Sequence, residues 1–338
     1  MTRTARLRPE GPRPEIARPG QREESAARGR EGARPLQGEV RCVGVLANVD
    51  KDNALPVCAR LLEWLRARRV EAMVPPELAA ALPGAPPAVT MAEMAAAAGF
   101  LIVLGGDGTL LSAARRAAEH GALPILGVNL GHLGFLTELE EGDLLTALPD
   151  LLAGRYEIDE RTILECAIHA EGAEPERFLA VNDIVVTKGP FARLIRLSLA
   201  ADAGPVVSYR GDGMIVSTPT GSTAYSLSAG GPVLHPQVQG ILVTPICPHT
   251  FYSRPLLVAA SERLRLDIDV APGSWGRVDV ALTVDAQEGR MLRPGEWVEI
   301  SAAAACARLV RRPGWNFYEV LRRKLAEDDR LGLERGDG

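Results

Sequence analysis

The sequence is poor in the residues from which covalent and metallic frameworks are built. Its five cysteines (Cys42, Cys58, Cys166, Cys247 and Cys306) are odd in number and far apart, which excludes a disulfide framework and any CxxC metal site. They read as buried, reduced thiols. The five histidines show neither HxxxH nor HExxH spacing, so the common zinc motifs are absent too. No run of about 18 apolar residues occurs, and no membrane-spanning helix is expected. Basic residues are outnumbered, 38 Lys and Arg against 43 Asp and Glu, which argues against nucleic acid as a partner. Neither the P-loop pattern GxxxxGK[ST] nor the dinucleotide pattern GxGxxG is present.

What remains is a chain of 338 residues, 46% hydrophobic, long enough for two domains with real cores. Residues 1–38 are rich in Arg, Pro, Gly and Glu and nearly devoid of apolar side chains, so they read as a disordered tail. The tail has no hydrophobic stretch of the kind a secretory signal needs, and its glutamates argue against an organelle transit peptide. From Val40 the pattern alternates: strands at VRCVGVLAN, EAMVP, FLIVLGG and PILGVNLG, helices at 54–70, MAEMAAAAG and 109–120. Such alternation implies a parallel, doubly wound, Rossmann-like α/β domain, assigned to residues 39–150. From Tyr156 to Leu309 short runs with period-two alternation predict a second, all-β domain over 151–312. RFLAVNDIVVTK reads as one of its strands. NFYEVLRRKLAEDD predicts a terminal helix, assigned to 313–330 and packing back on the α/β domain, with Phe317, Val320, Leu321 and Leu325 on its apolar face.

Two stretches carry chemistry. In LIVLGGDGTLLSAAR a buried strand ends in Gly105-Gly106-Asp107-Gly108-Thr109 and a helix follows at once. One carboxylate is thereby set at the carboxyl end of a parallel strand, where open α/β sheets bind ligands. The glycines admit a polyphosphate to the backbone N–H groups, and the aspartate is a candidate proton acceptor. Its alternative role is that of a helix cap. GVNLGHLGFLTEL follows the next strand and borders the same crevice or forms an ordinary turn. The second stretch is DGMIVSTPTGSTAYSLSAGGPVLHP, residues 212–236, a run of small hydroxyls and glycines between apolar strands. The adjacent pair Asn182-Asp183 offers an amide and a carboxylate suited to a base edge and ribose hydroxyls.

Taken together, GGDGT, the VND strand, DGMIVSTPTGSTAYSLSAGGP and PICPHT resemble the NAD kinases, which phosphorylate the adenosine 2′-hydroxyl of NAD. GGDGT alone is shared with diacylglycerol kinases and phosphofructokinases; the long hydroxyl-rich run is specific. The resemblance implies ATP or polyphosphate as phosphoryl donor, a divalent cation such as Mg²⁺ accompanying it, a homodimer or homotetramer, and a cytoplasmic enzyme. It implies that Asp107 is the proton acceptor, with Gly108 beside it at the substrate. Asn182, Asp183, Arg193, Arg210 and Asp212 then contact NAD. Thr223, Ala224, Tyr225, Ser226, Leu227 and Ser228 form a nucleotide-binding loop, with Gly240 at the adenine pocket. Gln287, matching the glutamine of a VDGQ-like motif written here as VDAQ with Ala286 in place of its glycine, is implied as a further substrate-binding residue. The rival readings are a diacylglycerol-type lipid kinase and a module that senses NAD without turnover.

Because residues 1–38 lack apolar periodicity, their deletion is expected to leave folding and NAD phosphorylation intact. A truncated chain assayed for thermal midpoint and NADP formation checks this; loss of either would make the tail part of the fold.

Overall fold

The computed structural model describes residues 38–334 except 52, 132–133, 190–193, 251–252 and 270–278, and only the backbone over 327–334. Nearly all of the arginine-rich tail, and Arg193, thus lie outside the described residues. The first half runs β1 (Cys42–Ala47), α1 (Ala54–Ala67), β2 (Glu71–Met73), α2 (Pro76–Ala81), α3 (Met91–Ala97), β3 (Phe100–Gly105), α4 (Asp107–Ala118) and β4 (Ile125–Asn129). The four strands are parallel in the order β2-β1-β3-β4. All six residues of β3, FLIVLG, are buried, as a strand covered by helices on both faces must be. Val57, Cys58, Leu61, Leu62 and Leu65 of α1 pack on one face of this sheet. Met91 and Met94 of α3 and Leu110, Leu111 and Ala114 of α4 cover the other.

The second half follows as β5 (Leu139–Glu140), α5 (Leu144–Leu152), β6 (Glu157–His169), β7 (Glu176–Ala180), β8 (Asp183–Lys188), β9 (Ile195–Ala201), β10 (Gly204–Gly211) and β11 (Gly213–Ser217). It continues with α6 (Tyr225–Ser228), β12 (Gly240–Ile246), β13 (Leu256–Ala259), β14 (Leu264–Asp269), β15 (Val280–Val284), β16 (Glu288–Met291), β17 (Trp297–Arg311) and α7 (Phe317–Glu334). Two sheets face each other here. One has the order β13-β12-β11-β8-β15-β16. The other is not separate from the parallel sheet. The long strand β17 pairs antiparallel with β14 and β6, and at Leu309↔Ile125 it joins β4 in parallel. The sheet therefore continues across the expected boundary near residue 150. Between the two sheets Leu164, Cys166, Leu197, Met214, Val216, Ile241 and Leu282 form one buried cluster.

Several expectations need correction. RFLAVNDIVVTK is two strands, not one: β7 belongs to the sheet that holds β6 and β17, β8 to the sheet β13-β12-β11-β8-β15-β16, and the chain crosses between them at Val181-Asn182. Apolar runs on both sides of the polar pair, FLAV (178–181) and IVV (184–186), read as one continuous strand and hide the crossing. Leu325 of α7 is exposed, whereas Phe317 and Val320 are buried and Phe317 meets the His235 ring edge-on at 5.2 Å. Among the thiols Cys58 and Cys166 are buried and pushed up to about 12 by burial, but Cys247 is exposed; all five are unpaired.

Between β15 and β16 the turn places Asp285 at φ +50° and Ala286 at φ +54°, closed by Gln287 N–H donating to the Val284 carbonyl at 2.9 Å. Two consecutive left-handed residues favour Asn or Asp followed by glycine, and the second position here is alanine. Relief of the left-handed penalty outweighs the entropy that glycine adds to the unfolded chain. Ala286→Gly is expected to stabilise the protein by about 0.5–1 kcal/mol. Equilibrium denaturation checks it, and a destabilised variant would show that the turn carries no such strain.

Candidate active site

The parallel strands run β2-β1-β3-β4, so successive crossovers leave β1 in opposite directions and a crevice opens outside the carboxyl ends of β1 and β3. A cleft of about 480 Å³ lies there, lined by Asn48 and Lys51 after β1, by Gly106, Gly108, Thr109, Ser112 and Arg116 of the β3–α4 segment, and by Gln287. Arg116 reaches Glu77 only at 3.7 Å between exposed groups. Lys51 makes no ion pair among the described residues, and its ammonium lies 3.4 Å from where a side chain on Gly106 would begin. Two cations, two hydroxyls and the N-terminus of α4 make this cleft an anion site.

Asp107 is the first residue of α4, and its carboxylate does not cap that helix. It reaches to the loop after β4 instead. The Phe135 N–H donates to Oδ2 at 2.8 Å and the Leu136 N–H to Oδ1 at 3.1 Å. This corrects the alternative of a helix cap: the competing structural role of Asp107 is to anchor that loop. Gly134 makes the approach feasible, since a Cβ there would sit 1.9 Å from Asp107 Oδ1. Each carboxylate oxygen keeps a lone pair beyond its one N–H bond. The loop is held in turn by Arg311, buried and donating to the Leu136 carbonyl at 3.1 Å.

Asn182-Asp183 sits where the chain crosses between sheets. The backbone N–H groups of Val181, Asn182 and Asp183 all donate to the Asp285 carboxylate, at 3.1, 2.7 and 3.1 Å. The Arg115 guanidinium donates to the same carboxylate at 2.7 Å. Asp183 is buried on a strand position paired with Ser217, whose buried hydroxyl has no partner among the described residues. Burial, and then the Asp285 charge, push the Asp183 carboxyl up to about 7. Across the crossing lies the hydroxyl-rich segment. Gly221 packs so closely that a Cβ would fall 2.1 Å from the Asn182 carbonyl oxygen, and Thr218 Oγ1 donates to the Val181 carbonyl at 2.6 Å.

The hydroxyls of that segment are not equivalent. Ser222 donates to the Pro219 carbonyl at 2.6 Å, Thr223 to the Thr220 carbonyl at 3.2 Å, and Ser226 shares a hydrogen with Thr244 at 2.7 Å. These three shape the backbone of 217–228. Tyr225, Leu227 and Ser228 are exposed and Ala224 is half-buried. Gly240, buried, pairs with Ala259 in β13.

Asp107, Gly108 and Gln287 come together: Gln287 Nε2 donates to the Gly108 carbonyl at 2.7 Å. Arg210 and Asp212 do not join Asn182-Asp183. Asp212 meets Lys188, at the opposite end of β8, at 3.5 Å. Five residues of strand separate the two ends, roughly 17 Å. Sequence reasoning passed over Lys51, Arg115, Arg116, Lys188 and Asp285. Arg115 had a signal: it stands four residues after Leu111 on the apolar face of its helix, where a charge must be paired.

Two family models match the chain: the ATP-NAD kinase N-terminal domain over residues 43–156 and the ATP-NAD kinase C-terminal domain over 181–312. An NAD kinase of Moorella thermoacetica is 46% identical over 288 residues, covering 84% of this chain and 89% of the relative. An NAD kinase of Symbiobacterium thermophilum is 44% identical over 289 residues, covering 83% and 98%. Among solved structures, yeast NADH kinase complexed with NADH superposes with a TM-score of 0.75 at 25% identity, covering 86% of this chain and 89% of that one. An NAD kinase from Archaeoglobus fulgidus in complex with ATP gives 0.62 at 25% identity, covering 80% and 94%.

The buried carboxyl has a pH signature of its own. Asp183 keeps its proton in the folded state up to about 7, while the unfolded chain releases it near 3.8. The folded state therefore binds the extra proton in that window, and stability falls as pH rises, levelling off above about 7. At about 1.4 kcal/mol per unit, Asp183→Asn should gain about 2–3 kcal/mol relative to the parent between pH 5 and pH 7. Chemical denaturation of both proteins at the two pH values checks it, and an unchanged difference would reject the shift.

Proposed function

The chain belongs to the NAD kinase family, and from that premise we propose what its residues do as a phosphoryl group moves from ATP to NAD. The protein is an enzyme that phosphorylates NAD with ATP. In our reading the adenosine 2′-hydroxyl oxygen attacks the γ-phosphorus of ATP, its O–H bond breaking as the new P–O bond forms. Asp107 accepts the proton. The bond from the γ-phosphorus to the bridging oxygen breaks and ADP leaves, with NADP as the other product. The observation that carries this reading is the Asp107 carboxylate itself, fixed by two N–H bonds between Gly106 and Gly108 of the cationic cleft. Phosphoryl transfer depends chiefly on positioning and charge neutralisation, which Lys51, Arg116 and the start of α4 supply for a triphosphate.

For NAD we propose Asn182 and Asp183 as contacts to the adenosine half. A carboxyl that holds its proton near neutrality both donates and accepts, as hydroxyl and base-edge recognition require. Thr223–Ser228 forms the adjoining loop, with the exposed Tyr225 ring available to a base, and Gly240 is assigned to the adenine pocket as the family resemblance implies. Arg210 and Asp212, at the far end of β8, and Arg193 serve the NAD site of a neighbouring copy in a homodimer or homotetramer. Among the described residues no three His, Cys, Asp or Glu side chains converge as metal ligands. We propose that a divalent cation enters with ATP, its ligands phosphates and water. No described helix is long and apolar enough to cross a membrane, and the reading assigns the enzyme to the cytoplasm. A lipid kinase or a binding-only module is not favoured, since the matches span both halves of the chain.

Asp107→Asn tests the assignment. An amide keeps one acceptor for the loop N–H groups but loses the base, so kcat should fall ~10²–10⁴-fold with NAD and ATP still bound. One of the two loop bonds is lost as well, lowering stability by about 1–3 kcal/mol. A near-normal kcat with a lowered melting point would reduce Asp107 to a loop anchor.

A further inference from the structure

Arg115 lies on the buried face of α4, about two turns beyond Asp107. Its Nη1 donates to Asp285 Oδ2 at 2.7 Å. Its Nη2 donates to Gln287 Oε1 at 3.0 Å and to Glu288 Oε1 at 2.8 Å. Each partner passes the contact on. Asp285 holds the N–H groups of Val181, Asn182 and Asp183, and Gln287 Nε2 holds the Gly108 carbonyl. The path closes on itself, because Gly108 and Arg115 share one helix. Segments far apart in sequence are thus linked through one guanidinium, and no bond in the circuit exceeds 3.1 Å.

We propose that Arg115 is a positioning residue for phosphoryl transfer, setting the separation between Asp107-Gly108 and Asn182-Asp183 through Asp285 on one side and Gln287 on the other. The proposal rests on the reading that those two pairs serve the reacting hydroxyl and the adenosine half. It assigns Gln287 a different task from the one its motif suggests. Both ends of the Gln287 amide are engaged inside the protein, so the residue acts on Gly108 and not first on NAD. The chemistry of the guanidinium explains why arginine is needed. Its planar fork presents fixed donors in two directions, whereas an ammonium on a flexible stem is a single point of charge. Lysine at 115 can still neutralise buried Asp285, and so keep the crossing at Asn182-Asp183 intact, but it cannot hold Gln287 at the same time.

That difference sets the experiment. Arg115→Lys, Gln287→Ala and the double variant are compared with the parent for kcat, for the KM of NAD and of ATP, and for thermal midpoint. Displacing reacting groups by about 1 Å costs on the order of 10²-fold, and loss of a supporting contact about 10–100-fold. Each single variant is expected to lose about 10–100-fold in kcat with the KM of NAD within about threefold of the parent. The double variant should be no slower than the slower single, because both break one path. Gln287 is exposed, so Gln287→Ala reports on the path even if Arg115→Lys fails to fold. A parental kcat in Gln287→Ala, a raised KM for NAD with kcat unchanged, or losses that multiply in the double variant would each overturn the proposal. Asp107→Asn measured alongside separates the two readings: a retained kcat there removes the proton acceptor, whereas the circuit is judged on Arg115 and Gln287 alone.

Discussion

An ionised carboxylate inside a protein is expensive unless donors surround it, and this fold uses that demand at Asp285. The chain leaves one sheet after Ala180 and enters the other at Asp183. A strand that changes sheets strands its own N–H groups at the crossing, each costing about 1–3 kcal/mol if buried without a partner. The Asp285 carboxylate receives three of them, and Arg115 supplies the compensating charge. Removing one member of such a buried pair costs about 3–5 kcal/mol because the other is left uncompensated. The crossing, the tight turn of β15 to β16 and the seating of α4 are therefore one energetic unit. Asp183 reflects the same arrangement: beside a fixed anion and out of water, it retains its proton where a surface aspartate would not.

A comparable arrangement stands behind Asp107. The loop that supplies its two N–H groups is tied through the Leu136 carbonyl to Arg311, which sits with Arg161, Asp159 and Glu138 in a buried network under Trp315. Burial and the neighbouring Arg161 lower the proton affinity of Arg311, while Asp159 and Glu138 oppose that shift. Arg161 also donates to Thr220 at 3.3 Å, at the start of the hydroxyl-rich segment. Asp107 and the hydroxyl-rich segment thus share a buried support distant from either in sequence. Small side chains are needed where backbones meet, and charged pairs where loops would otherwise drift.

What the sequence discloses follows the range of the forces involved. β3, α4 and the GGDGT turn are legible because burial imposes a local period and the turn residues punctuate it. The family resemblance is legible because TPTGSTAYSLSAGGP is continuous. The crossing at Val181-Asn182 is not, since the apolar runs on either side of Asn182-Asp183 do not reveal that they belong to different sheets. Nor is the Arg115–Asp285 pair, whose members lie 170 residues apart. The hydroxyls are visible as a composition but not by their use: Ser226 bonds Thr244 inside the protein whereas Ser228 faces outward. Asp107 is legible as a candidate proton acceptor, while its anchoring by Phe135 and Leu136 depends on a loop that sequence alone leaves as a crevice border or an ordinary turn.

The joining of β17 to β4 has a consequence for biosynthesis. Ile125 meets Leu309 across the sheet, so β4 is made about 180 residues before its neighbour. β5 covers the end of β4 at Val128-Asn129 soon after it is made. At typical rates of elongation the longer interval is roughly 10–40 s, during which the start of β4, around Ile125, stands as an open edge. Its N–H and C=O groups are then open to pairing with any extended segment nearby. The parallel sheet therefore gains its last neighbour only when β17 has been made.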